Sequence, residues 1–372
     1  MMRRLSASRL EIAALCPGMA HLPWLETTNE HALAGRAIHE YLARRLGGEE
    51  HESALGGVPE PLRERCVAVD VGAVLDALGI RDARAEVAYA WRPDVDAAVE
   101  LGVGLERDYS AAPDGALVGT ADVVGRDARG VAVMDWKSGA SFVAGPDTNL
   151  QLQFQALAAA RCGGDEFATA HVPVIGADGT VDVRSAVYDA AGLAGIARRL
   201  SSLHRRVTTA GPADLSLGEH CARCPALLSC PAQRAATTAL LAPEAAGALE
   251  EPAAVEAAWL ACKAARAALD AVGGAIRARV LHGEVPLSDG RMLRIVRQWQ
   301  DEVVGPTALA VLAEAYGPDV AHAAASVSKS AVTKAVGKEE SKAALALLVE
   351  RGAIQKRPVD KLMAVKVDRE DS

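Results

Sequence analysis

GALVGTADVVG (residues 115–125) and GVAVMDWKSG (residues 130–139) carry the pattern that decides the fold. Both are rich in valine, and Asp127-Ala128-Arg129-Gly130 at their junction has the composition of a four-residue hairpin loop. A loop of that length sets Asp122 opposite Asp135. One residue more or fewer would turn the two carboxylates to opposite faces of the sheet. Asp135 and Lys137, two positions apart on a strand, share a face at roughly 7 Å, and Trp136 points the other way. Two carboxylates so close repel unless a proton or cation lies between them. A divalent ion resolves the conflict, since Mg²⁺ takes one or two protein carboxylates together with waters. The chemistry suited to such a site is phosphodiester hydrolysis, with the metal neutralising charge and the lysine orienting or deprotonating a water.

Lys137 is singular. The chain has nine lysines, and this is the sole one among the first 262 residues. In a chain that otherwise uses arginine, a lysine marks a place where a planar guanidinium that cannot release its proton would serve poorly. An isolated Asp-x-Lys is usually an exposed strand pair, so the surrounding sequence carries the weight.

Upstream, Val87, Tyr89 and Trp91 alternate with small residues as a half-buried strand should, and Glu86 reads as a solvent-facing residue at its start. Two helices are expected before it. Ser8 and Glu11 form a candidate capping box leading to Cys16 and a stop at Pro17-Gly18. Thr27 and Glu30 repeat the pattern before HALAGRAIHEYLARRL (residues 31–46), which ends at Gly47-Gly48. There Gly35 sits one turn before His39 and leaves room for close backbone approach. A single His on an apolar helix is most often a packed core residue; only the downstream strands argue otherwise. Residues 49–83 read as a loop and a further helix.

Downstream, TNLQLQFQALAAARC (residues 148–162) puts Leu150, Phe154 and Leu157 on one helix face and Gln151 and Gln155 on another. A strand pair around HVPVIGADGTVDVRSAVYD and a helix to about Thr209 lead into HCARCPALLSCP (residues 220–231). Seven cysteines, an odd count, argue against a full disulfide framework. Cys221, Cys224 and Cys230 crowd together and favour metal over disulfide. They lack a fourth cysteine nearby: the distant Cys16 would give four thiolates for a [4Fe–4S] cluster, and the adjacent His220 offers a zinc site instead. Cys66, Cys162 and Cys262 read as ordinary buried thiols.

The 372 residues suggest two units or three, and a chain that is 50% hydrophobic can bury a sizeable core. Apolar runs are short and the N-terminus lacks a secretory pattern, so a soluble, cytoplasmic protein with no membrane role is expected. The formal charge of −8 excludes a uniformly basic nucleic-acid coat but not a local phosphate site. Ten cations meet seven anions from Lys329 to Ser372, a balance suited to DNA backbone contacts or to a solvated surface. The expected division is residues 1–240 and residues 246–372. The second part holds a long amphipathic helix marked by Val255, Trp259, Cys262, Leu269, Ile276 and Val280, then a hairpin at Asp289-Gly290, then Ala-rich helices bearing the lysines.

GRAIHEYL, GTADVV, VMDWKSG and QLQFQAL, in that order, resemble the motifs of the RecB-like branch of the PD-(D/E)XK nucleases. Cys16 within SASRLEIAALCPG, with the later Cys-x2-Cys-x5-Cys, is similar to the iron–sulfur staple of AddB-type helicase-nucleases and CRISPR-adaptation nucleases. The likeness implies an α/β restriction-endonuclease-like core, a mixed central sheet flanked by helices, with an iron–sulfur staple and a mainly helical C-terminal extension. It implies Mg²⁺ or Mn²⁺ on His39, Asp122, Asp135 and the Trp136 carbonyl, with Lys137 catalytic. Gln151 matches the family's helix glutamine, whereas Gln155 stands where the family has tyrosine. It further implies a structural [4Fe–4S] cluster on Cys16, Cys221, Cys224 and Cys230. The implied activity is DNA hydrolysis to 5′-phosphate and 3′-hydroxyl ends, by an exonuclease acting on ends or single strands in recombination, repair or phage DNA processing. A helicase, annealing protein or recombinase is the partner such enzymes work with, and the C-terminal order of elements is similar to the tails of phage-encoded RecB-like nucleases. Two other readings stay open: a non-catalytic DNA-binding module that keeps fold and cluster, and a zinc-stapled thiol enzyme, which needs an exposed reactive cysteine.

Overall fold

A computed structural model describes residues 4–24, 30–138, 144–176, 179–211, 213–240, 251–303, 305–323, 336 and 340–366. It divides into two compact units, Met1–Gly274 and Ala275–Ser372.

In the first unit the elements run α1 (Leu10–Leu15), α2 (Glu30–Leu46), α3 (His51–Ala54), α4 (Glu60–Val67), α5 (Val71–Leu78), β1 (Arg81–Arg92), β2 (Ala97–Val103), β3 (Leu117–Arg126), β4 (Val131–Met134), α6 (Leu150–Gly163), β5 (Ala168–Ile175), β6 (Val181–Tyr188), α7 (Ala190–Thr209), α8 (Pro231–Leu240) and α9 (Pro252–Leu281), the last ending beyond the unit boundary. The six strands form one mixed sheet in the order β2-β1-β3-β4-β5-β6. Only β4 and β5 pair in parallel. Helix α6 makes the crossover between them, as a parallel connection requires.

Local chemistry explains where the helices begin and end. Asp70, Asn149 and Asp189 cap α5, α6 and α7 by accepting from the backbone N–H groups of Ala73, Leu152 and Gly192. Gly79 and Gly164 close α5 and α6 in the left-handed conformation. The expected capping box at Ser8 and Glu11 does not form. Ala7–Arg9 is a 3₁₀ turn that runs straight into α1, whose N-cap position, Arg9, makes no side-chain cap. The second expected box begins at Thr27, outside the described residues.

The sheet separates two apolar layers. Val131 and Val133 face a core shared with α1, α6 and α7, including Leu152, Phe154 and Leu200. Ala132, Met134 and Trp136 face a second core with Ile38, Tyr41 and Leu42 of α2 and Leu75 of α5. Met134 and Trp136 are essentially fully buried. Burial of each stabilises by roughly 2–3 kcal/mol. These two side chains lock the strand's orientation, so Asp135 must face away from the second core.

The second unit carries β7 (Val285–Pro286), β8 (Arg291–Val303), α10 (Gly305–Tyr316), α11 (Pro318–Ala323), α12 (Ser341–Glu350) and β9 (Ile354–Lys366). The Asp289-Gly290 turn is present, with Asp289 Oδ1 accepting from the Arg291 N–H. The expectation that only helices follow it is corrected: Ile354–Lys366 is a strand paired along its whole length with β8. Its valines and Pro358 suit a strand and oppose a helix. Lys329, Lys334 and Lys338 lie outside the described residues. Among the described residues, no helix is long and apolar enough to cross a membrane.

Candidate active site and thiol pocket

The β3–β4 register pairs Arg126 with Val131 and Val123 with Met134, as the four-residue loop demands. Past Met134 the strand keeps its partner on one side only. Asp135 N–H donates to the His171 carbonyl, and Lys137 exchanges hydrogen bonds with Pro173 and Ile175 of β5. On the β3 side the Trp136 N–H donates instead to Asp122 Oδ2, at 2.7 Å. The hairpin thus opens at one end, and a carboxylate takes up the backbone donor exposed there.

Four titratable groups meet at that opening. His39 Nδ1, from α2, lies 3.2 Å from Asp122 Oδ2. Lys137 Nζ forms an ion pair with Asp135 Oδ2, and Asp135 is 2% exposed. Gln151 Nε2 donates to Asp135 Oδ1 at 2.6 Å. Gln155, fully buried, donates to the Thr120 carbonyl at 2.8 Å and reaches Asp135 Oδ1 at 3.4 Å. The glutamine at the position of the family's tyrosine therefore braces the Asp135 carboxylate against β3.

Burial would raise Asp122, but the charge and hydrogen bond of His39, aided by Lys137, outweigh it and hold this carboxyl below its usual range. For Asp135 burial wins over Lys137, and its carboxyl is pushed up. His39 and Lys137 are both raised, because Asp122 and Asp135 respectively overcome the desolvation of each cation.

Glu86 was read as solvent-facing, and the structure corrects this. The pairs Ala85–Val123 and Val87–Ala121 bracket it opposite Asp122. It is partly buried. Burial first, and the Asp122 charge second, push its carboxyl up to about 7. Its backbone has φ +52°, a left-handed conformation rare for a non-glycine in a strand. No periodicity signals such an irregularity, so alternation alone reads this residue as facing solvent. Gly35 needs a smaller adjustment: a Cβ there would stand 3.5 Å from Ser138 Oγ, an ordinary contact, so the glycine is not sterically required.

The second constellation joins distant parts of the chain. Cys16, Cys221, Cys224 and Cys230 line one small apolar cavity together with His220 and Leu227. The Ser216 N–H points at Cys16 Sγ, 3.4 Å away. His220 Nε2 lies 3.1 Å from the Ser216 carbonyl and 3.9 Å from Cys221 Sγ. Hydrogen bonds to Cys16 and Cys221 raise His220 to about 10. Burial, then the neighbouring thiols, raise Cys224 to about 11. Cys66 is buried as expected, but Cys162 and Cys262 are exposed.

The donor sets can be tested for fit. Among the described residues, no three His, Cys, Asp or Glu side chains close into a metal cage. The carboxylate site nonetheless suits a hard divalent ion completed by waters and a carbonyl. Asp135 Oδ2 is buried and faces the Lys137 ammonium, so the site holds a carboxylate oxygen that water does not satisfy. The four thiols of the second pocket line one cavity, and thiolates that share a cavity ionise together only if positive charge lies among them.

The sequence profile of the PD-(D/E)XK nuclease superfamily matches residues 4–231. No curated protein sequence matches the chain. Among solved structures the chain is similar to SSO0001, known from a crystal structure, at 15% identity and a TM-score of 0.26, over 52% of this chain and 85% of that one. With a family match spanning more than half its length and a mixed sheet whose opened hairpin gathers two aspartates and a lysine, this chain belongs to the PD-(D/E)XK nuclease superfamily.

Proposed function

We propose that the chain is a metal-dependent deoxyribonuclease, working as an exonuclease on DNA ends or single strands in recombination, repair or phage DNA processing. The observation that carries the hydrolytic reading is the meeting of Asp122, Asp135, Lys137 and His39 where β3 and β4 part. The order of its motifs, similar to the RecB-like branch, supports action on ends and work beside a helicase, annealing protein or recombinase.

In this reading Asp122, Asp135, His39 and the Trp136 carbonyl would hold Mg²⁺ or Mn²⁺, which when bound supplies charge neutralisation at the phosphodiester and a more acidic water. Lys137 enters as an ammonium, because Asp135 keeps it protonated. It donates to a phosphoryl oxygen as negative charge develops there. Gln151 fixes Asp135 through Oδ1. His39 orients Asp122 and shares its charge.

The same reading gives Cys16, Cys221, Cys224 and Cys230 to a [4Fe–4S] cluster whose part is structural, since hydrolysis needs no electron transfer. The shared cavity and the Ser216 N–H directed at Cys16 support it.

The test is cleavage of end-labelled single- and double-stranded DNA by anaerobically purified protein, with Mn²⁺ or with EDTA. Metal-dependent release of 5′-phosphate nucleotides is expected, reduced about a thousandfold in Lys137→Ala. No cleavage by the wild type, or undiminished cleavage by Lys137→Ala, would defeat the enzyme reading and leave a DNA-binding module.

A further inference from the structure

Helix α9 is amphipathic the wrong way round for a packed helix. Its small residues Ala261 and Ala264 are buried, and Ala264, Ala267 and Ala268 pack with Cys221 and Leu227 beside the thiol pocket. Its large apolar residues face out: Val255 is 47% exposed, Trp259 57% and Leu269 72%. Cys262 is exposed as well. Val255, Cys262 and Leu269 recur at intervals of seven, and Ile276 continues the series in sequence. A seven-residue apolar repeat is the signature of helices that wind around a partner helix.

The charges name the partner. Along the edge of this stripe, each one place after an apolar position, stand Glu256, Lys263, Asp270 and then Arg277. Their signs alternate. Laid parallel in register against a second copy, like charges would meet; laid antiparallel, each meets its opposite. Setting Lys263 level with Asp270 of a second copy also brings Cys262 within two residues of the copy's Leu269, about 3 Å along the axis. It sets Trp259 beside the copy's Gly273-Gly274. Adjacent glycines weaken a helix interior, and a Cβ at Gly273 would meet nothing within 4 Å in the single chain. The large indole has a matching gap on the second copy. Within one chain Lys263 bonds Glu219 at 2.6 Å and lies 5.5 Å from the Trp259 ring, which holds that indole at the surface.

We propose that the outer face of α9 is a homodimer interface, two copies pairing antiparallel about a twofold axis near Arg266, with Trp259 seated on the partner's glycines. Such an isologous contact closes at two copies.

Sedimentation equilibrium of the full chain under reducing conditions reads the assembly. A dimer is expected, with Leu269→Glu and Trp259→Ala each weakening it by about tenfold or more while circular dichroism stays unchanged. Direction is read separately: Leu269→Cys, oxidised and peptide-mapped, should give an intermolecular disulfide from Cys262 to the new cysteine. A monomer at every concentration would overturn the proposal and leave the stripe to another protein's helix. So would a dimer indifferent to both substitutions, or one cross-linked only between the two native Cys262 residues, which marks a parallel pair.

Discussion

The carboxylate site and the thiol pocket differ in how much of the chain each needs. Asp122, Asp135 and Lys137 lie on one hairpin, and its loop sets their register. Cys16 and Cys221 are joined only when α1, the sheet and the segment after α7 have all come together. The first site follows from local geometry, whereas the second rests on closing a loop of about 200 residues, whose entropic cost must be met by whatever holds the ends. Their electrostatics differ too. Lys137 and the His39 imidazole stand against the aspartates, whereas His220 is the basic side chain among the residues that line the thiol pocket.

The sharpest way to break this contrast is to remove one member of each site. If the proposed cluster is there, Cys16→Ala should lose brown absorbance and folded yield together. By analogy with a disulfide closing a loop of that length, the loss is about 5 kcal/mol. Lys137→Ala should leave the unfolding midpoint within a few degrees of wild type. Absorbance spectra and thermal melts of the two variants side by side decide it. A colourless, stable, fully active Cys16→Ala protein would mean that the pocket fastens nothing.

A smaller effect separates support from chemistry within the carboxylate site. Gln155→Leu removes the donor to Thr120 and Asp135 without adding charge. It also removes Gln155 Oε1, which is buried without a partner. Stability should fall by about 1–2 kcal/mol, the net worth of such bonds. In cleavage, kcat should fall by roughly tenfold with KM unchanged, as expected when a positioning contact is lost. An unaltered kcat would show that Gln151 alone holds Asp135.

What the sequence disclosed, and what it hid, follows the same division. The four-residue loop fixed the carboxylates' register, because pairing in a hairpin is set by its turn. The spacing of three cysteines likewise pointed to a shared site. Glu86 was hidden because left-handed backbone within a strand breaks the alternation used to read it. Cys262 reads as buried, yet it is exposed, because a regular apolar stripe looks the same in sequence whether it lines a core or lies at the surface. The strand Ile354–Lys366 is not legible because scattered lysines say nothing about period, and its pairing partner lies more than fifty residues away. Features fixed by neighbours in sequence were legible; those fixed by distant contacts were not.

Glu86 offers the finest test, since it joins the carboxylate cluster from outside the hairpin. Its carboxyl in the folded chain sits at about 7, above the ordinary value of 4.5, because burial and Asp122 disfavour its charge. Below the ordinary value it is protonated whether the chain is folded or not, and contributes nothing. Between the two values the unfolded chain has released its proton and the folded chain has not. Folding therefore loses stability as pH rises through that window, and the loss is complete above pH 7. Glu86→Gln removes the penalty. In EDTA it should raise the melting temperature at pH 8 by an amount equivalent to about 1–2 kcal/mol, allowing for partial exposure, and leave it unchanged at pH 4. Equal melts at pH 8 would mean that the side chain turns away from Asp122 into solvent, and that the cluster ends with the hairpin and α2.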